Sequence, residues 1–120
     1  MLIIQVMGVP ELSQEGLKML RGKLKYEATK IKELEISVGD VTVFFLPNLI
    51  KDDLGEEIII FVRDLFKKPK RTPKVRQRLA EALVLAVKPF VKKVLPQCKM
   101  IEVFVHKFNP EQDGFEALRI

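Results

Sequence analysis

A strand-length apolar run, a turn, an amphipathic helical stripe and a second strand-length run occur in that order twice along the chain. This doubled β-α-β pattern is the strongest constraint on the fold. Leu2 to Met7 carries Gln5 as its only polar residue and ends at Gly8-Val9-Pro10, which predicts a buried strand closed by a turn. Ser13 is a good N-cap, and Glu15 falls in the first helical turn, where a carboxylate complements the free N–H groups. Leu17, Leu20, Leu24, Ala28 and Ile31 then recur three or four apart as one apolar stripe with lysines opposite. Gly39-Asp40 marks a turn, and Val41 to Leu46 is a β-branched and aromatic run of strand length.

After a loop containing Pro47, Asn48 and Gly55, the order repeats in architecture though not in letters. Glu57 to Phe66 predicts a strand, and Thr72-Pro73 an N-cap with the first helical residue. Val75, Leu79, Ala82, Leu83, Ala86, Phe90 and Val94 form the second stripe, in which Pro89 deletes a backbone donor and predicts a kink. Pro96 closes the helix, and Met100 to Phe108 is the last strand. Each β-α-β crossover should set its two strands parallel with the helix on one face. The expected fold class is α/β (an α+β sandwich): two β-α-β units forming a four-stranded sheet with two helices on one face. All 120 residues are read as one domain, with the pseudo-repeat spanning 1–48 and 57–115.

Several functional classes are disfavoured. No apolar run approaches the roughly 18 residues of a membrane span, and the N-terminus lacks the basic-then-apolar pattern of a signal peptide. A cytoplasmic location, with no membrane association, is the expectation. One cysteine, Cys98, and one histidine, His106, cannot assemble an internal disulfide or a Cys/His zinc set, so neither metal nor cofactor is expected. The net charge of +5 comes from mixed signs, which predicts solvation before partner binding. Lys67, Lys68, Lys70 and Arg71 form the one dense basic run, a candidate anion-binding loop whose plainer reading is a solvated connection.

Strand alternation allows the two sheet faces to be compared. Leu2, Ile4 and Val6, Val41, Val43 and Phe45, Ile58, Ile60 and Val62, and Ile101, Val103 and Val105 form a wholly apolar face that belongs under the helices. The opposite face carries Ile3, Gln5 and Met7, Thr42, Phe44 and Leu46, Ile59, Phe61 and Arg63, and Glu102, Phe104 and His106. Seven of those twelve are apolar, too many for a solvated sheet, so a second copy of the chain is expected to cover them. Glu102 then needs a partner, which Arg63 or a neighbouring subunit could supply.

The strand ending Gly8-Val9-Pro10, the strand Val43-Phe44-Phe45-Leu46-Pro47-Asn48, the helix from Thr72 to Val94, and the ending Ile101-Glu102-Val103-Phe104 through Asp113-Gly114-Phe115 resemble the tautomerase superfamily. That group contains macrophage migration inhibitory factor and 5-carboxymethyl-2-hydroxymuconate isomerase, and the resemblance spans nearly the whole chain. It implies a homotrimer whose three sheets surround a central channel. It also implies a catalytic N-terminal proline, whose secondary amine moves a proton between carbon and oxygen. This chain carries Leu2 there, and because methionine removal generally needs a small second residue, Met1 is expected to remain as an ordinary primary amine. The family's helper lysine falls near Ile36, and its tyrosine and asparagine near Glu102 and Phe104. The resemblance therefore implies a shape, with proline-type catalysis disfavoured and the activity open between a non-catalytic protein and an altered isomerase. If the protein takes a small-molecule ligand, its expected place is a subunit boundary, in a candidate pocket of Met1, Glu102, Phe104 and His106.

One rival belongs to another class. The same element order occurs in ferredoxin-like folds, including the RNA recognition motif, and the chain is basic. That module stacks bases on aromatics of its first and third strands. Here the first strand offers Ile3, Gln5 and Met7 and the third only Phe61, which disfavours nucleic acid.

Overall fold

The computed structural model describes residues 2–50 and 54–120. Strand β1 (Leu2–Met7), helix α1 (Gln14–Thr29), β2 (Val41–Leu46), β3 (Glu57–Phe66), α2 (Pro73–Val94) and β4 (Met100–Phe108) follow in the expected order. The helices begin where their caps predict. The Gly16 N–H donates to Ser13 Oγ at 3.1 Å, and the Val75 N–H to Thr72 Oγ1 at 3.2 Å.

The four strands form one sheet in the order β2-β1-β3-β4. β1 runs parallel to β2 and β3 parallel to β4, while β1 and β3 meet antiparallel at the centre. In the ferredoxin-like arrangement the β-α-β unit is split, so that its two strands are not neighbours. Here both units are unsplit, and the topology does not support the RNA-binding alternative.

The face assigned to the core lies beneath the helices. Leu2, Ile4, Val6, Ile58, Ile60 and Val62 are buried against Leu20 and Leu24 of α1 and Leu79 and Leu83 of α2. Burial of each such side chain contributes on the order of 1.5 to 3 kcal/mol. The two halves also meet in the backbone. Gly55 N–H donates to the Gly8 carbonyl at 2.9 Å, and Gly8 has φ +92 with a position where a Cβ would collide with the Glu57 carbonyl.

Two details differ from the sequence expectation. α1 ends at Thr29, yet Ile31 is still buried, because the chain turns inward through two short 3-10 turns at Lys32–Leu34 and Val38–Asp40. α2 runs through Pro89 to Val94, as its stripe predicts. Pro89 and Leu85, whose carbonyl loses its N–H partner, are both exposed, so that carbonyl lies on the side that water reaches. Finally, Val62 pairs with Val105 but Leu65 with Lys107, so Arg63 and Asp64 together oppose His106 in a β-bulge, with Asp64 at φ 62. The extra residue shifts the alternation and turns Leu65 into the core.

The turn into β2 gives one test. Asp40 Oδ2 accepts the Ser37 N–H at 2.8 Å and the Ser37 hydroxyl at 3.0 Å, and these bonds lower its pKa from 3.8. A carboxyl depressed in the fold stabilises it above the unfolded value and loses that contribution as pH falls through the folded one. Denaturant midpoints measured at acid pH should therefore decline less steeply below 3.8 in Asp40→Asn than in the parent. Among the described residues, no helix is long and apolar enough to cross a membrane.

Candidate functional site

Strand register sorts the open face into rows that run across the sheet. The first is Leu46, Met7, Ile59 and Glu102, and the second is Phe44, Gln5, Phe61 and Phe104. The third is Thr42, Ile3 and Arg63, with His106 opposite the bulge. The middle row is aromatic and open to solvent. Phe61 and Phe104 stack with centroids 5.3 Å apart, Phe104 is 44% exposed, and Phe44 is 50% exposed.

Charge is divided between the ends of this face. Arg63 Nε donates to Gln5 Oε1 at 2.6 Å, and its guanidinium lies over the Phe61 ring at 4.9 Å. The His106 ring is 6.1 Å from that of Phe61. At the other end Glu102 stands two rows from Arg63, so the pairing expected between them within one chain does not form. Glu102 instead faces Glu57, a residue the sequence reading passed over although its alternation puts it on this face. Hydrogen bonding with the Glu57 carboxyl, followed by desolvation and by repulsion from that carboxyl, raises the Glu102 pKa above 4.5. A carboxyl raised in the fold removes stability as pH rises through that range.

The candidate pocket is only partly assembled by one chain. Met1 lies outside the described residues. Glu102, Phe104 and His106 share one face of edge strand β4, but Glu102 and His106 are roughly 13 Å apart along it, at about 3.3 Å per residue. Phe104 and His106 border a shallow groove of about 310 Å³ with Pro73, Arg76 and Gln77, and Glu102 is not part of it. No three His, Cys, Asp or Glu side chains group as a metal site among the described residues.

The basic loop proves to be mixed in character. Arg71 is buried, 8% exposed, and turns inward. Its Nε and Nη2 donate to the Leu34 carbonyl at 3.1 and 2.6 Å, and its Nη1 to the Phe66 carbonyl at 2.8 Å. The guanidinium is thus a structural tie and is withdrawn from the candidate anion site. Lys67, Lys68 and Lys70 are all exposed, but Lys70 Nζ lies 3.6 Å from Glu35, which leaves Lys67 and Lys68 as the lysines of the run without an ion pair among the described residues.

A second surface lies on the helices. Met19, Leu20 and Tyr26 of α1 and Phe90 and Val94 of α2 line an open groove of about 640 Å³, rimmed by Lys23 and Lys93. Val94 was expected in the inward stripe, but it is exposed at the end of α2.

Comparison with known proteins bears on the shape. No protein-family model matches the chain, and no curated protein matches it by sequence. Solved structures do match it. A fused 4-OT described as a wild-type symmetric trimer is 12% identical, with a TM-score of 0.62, covering 89% of this chain and 85% of that one. A malonate semialdehyde decarboxylase inhibited by 3-bromopropiolate is 15% identical, with a TM-score of 0.62, covering 96% and 89%. A member of the cis-3-chloroacrylic acid dehalogenase family is 16% identical, with a TM-score of 0.62, covering 94% and 79%. All three are tautomerase superfamily members. At such identities the likeness establishes a shared fold, and chemistry has to be argued from the residues.

Proposed function

We propose that this chain, which has the tautomerase fold, is the subunit of a homotrimer closed over its open sheet face, and that it does not perform proline-type proton transfer. The observation that carries this reading is Leu2. Its side chain is 0% exposed, level with Val41 and enclosed beneath the helices, so position 2 serves packing. The residues aligned with the family's helper groups, Ile36, Glu102 and Phe104, include no lysine, tyrosine or asparagine.

Assembly is supported by the half-exposed aromatic row and by the trimeric state of the fused 4-OT structure. Because β4 is an edge strand, Glu102, Phe104 and His106 lie where a neighbouring subunit would begin. A small ligand held at that boundary would meet them.

Two measurements test the reading. Sedimentation equilibrium at micromolar protein should give three times the chain mass, and a clean monomer would sink the assembly. Keto-enol exchange of phenylpyruvate should run at the buffer rate, whether or not the amines are acetylated. A rate that acetylation abolishes would establish amine catalysis and overturn the second half.

A further inference from the structure

We propose that the open sheet face meets a second copy of this chain in a fixed charge register, with the Glu57 and Glu102 end of one subunit seated on the Arg63 and His106 end of the next. This rests on the assembly reading above and adds which ends of the face meet.

Among the described residues, neither end has an ion-pair partner. Glu57 and Glu102 sit side by side, since Glu102 is level with Ile59 and Glu57 lies two residues away on the same face. The ion pairs among the described residues are Lys23–Glu27, Lys30–Glu27, Lys70–Glu35 and Arg78–Glu33, and none involves this face. Arg63 stands six residues along β3 from Glu57, roughly 20 Å at about 3.3 Å per residue. It is held flat on the sheet by Gln5 and Phe61, so its charge is already placed without a carboxylate partner.

Between the two ends lies the aromatic row, whose exposed apolar area favours a cover. Covered by a copy running in the same direction, it would bring acid onto acid and guanidinium onto guanidinium, an arrangement that like-charge repulsion disfavours. Covered head to tail, each carboxylate pair gains a guanidinium and each guanidinium gains a carboxylate. A two-fold contact, in which both ends pair reciprocally, and a heterologous contact repeated around a three-membered ring both satisfy this exchange, and the trimeric fused 4-OT structure favours the ring. The Arg63 fork also suits a carboxylate better than a lysine would, because its donors are planar and parallel.

Charge exchange provides the test. Arg63→Glu and Glu102→Arg should each weaken self-association by about tenfold or more, as read by sedimentation, and the double variant should recover most of the loss. If either single variant fails to melt cooperatively, Arg63→Gln and Glu102→Gln replace them in a double-mutant cycle, where coupled effects support the register and additive effects overturn it. A trimeric parent whose double variant is not restored would remove the charge register alone. A monomeric parent would remove the assembly as well.

Discussion

Arg71→Met is expected to lower the unfolding free energy by about 2 to 4 kcal/mol, whereas Lys67→Ala and Lys68→Ala should stay within about 0.5 kcal/mol of the parent. The four basic residues are adjacent in sequence but differ in environment. Arg71 donates to the carbonyls of Leu34, in the turn before β2, and of Phe66, the last residue of β3, so a single side chain ties the two β-α-β halves together. Burial draws its pKa downward, with Glu35 acting in the opposite direction, but a guanidinium stays charged at any physiological pH. Methionine would fill much of the same space while leaving the Leu34 and Phe66 carbonyls without those donors, and an unpaired buried acceptor costs about 1 to 3 kcal/mol. Urea midpoints with unchanged slopes would measure the loss. An Arg71→Met midpoint equal to those of the lysine variants would show that the tie carries no load.

Arg71 also marks where the sequence stops being informative. Whether a basic side chain in a loop points inward depends on what lies beneath it, and here that is the Leu34 carbonyl, 37 residues earlier. The bulge at Arg63 and Asp64 is hidden for the same reason, since it exists only relative to β4. Strand order was equally out of reach. Periodicity fixes which face of a strand is apolar, but split and unsplit β-α-β units bury the same residues, so the ferredoxin-like alternative could be set aside only once β1 lay beside β2. What local chemistry does determine was readable: the caps at Ser13 and Thr72-Pro73, and the two faces of each strand. The open face was legible as a set of residues and illegible as a pattern. Alternation placed Glu102, Phe104, His106 and Arg63 together, but only the register shows that Glu102 is level with Met7 while Arg63 is level with Ile3. That difference separates an internal ion pair from two ends that have no ion-pair partner among the described residues.

Leu2→Pro is expected to cost about 2 to 5 kcal/mol, as large-to-small changes in a core do, and to bring no gain in phenylpyruvate tautomerisation. The stability loss follows from position. Leu2 is fully buried level with Val41, and a proline ring is smaller, so a void opens under the helices. The missing N–H adds less, because the first residue of a strand tolerates proline. Leu2→Met, which keeps the volume, should cost less than about 1.5 kcal/mol and separates packing loss from any perturbation at the chain start. The absence of a rate follows from the surroundings. A secondary amine needs groups to orient the substrate and to stabilise the charge it develops. Of the three aligned positions, Ile36 and Phe104 carry no hydrogen-bonding side chain. Glu102 is level with Met7, which is itself roughly 17 Å along β1 from Leu2 at about 3.3 Å per residue, and lies two strands further across the sheet. In an assembled ring a neighbouring subunit could shorten that distance, but it would bring a carboxylate where the reaction develops negative charge on oxygen. A Leu2→Pro variant that tautomerises phenylpyruvate faster than the parent would show that residue 2 alone had silenced the site. A rate equal to the parent's, together with the loss of stability, would show that position 2 belongs to the core.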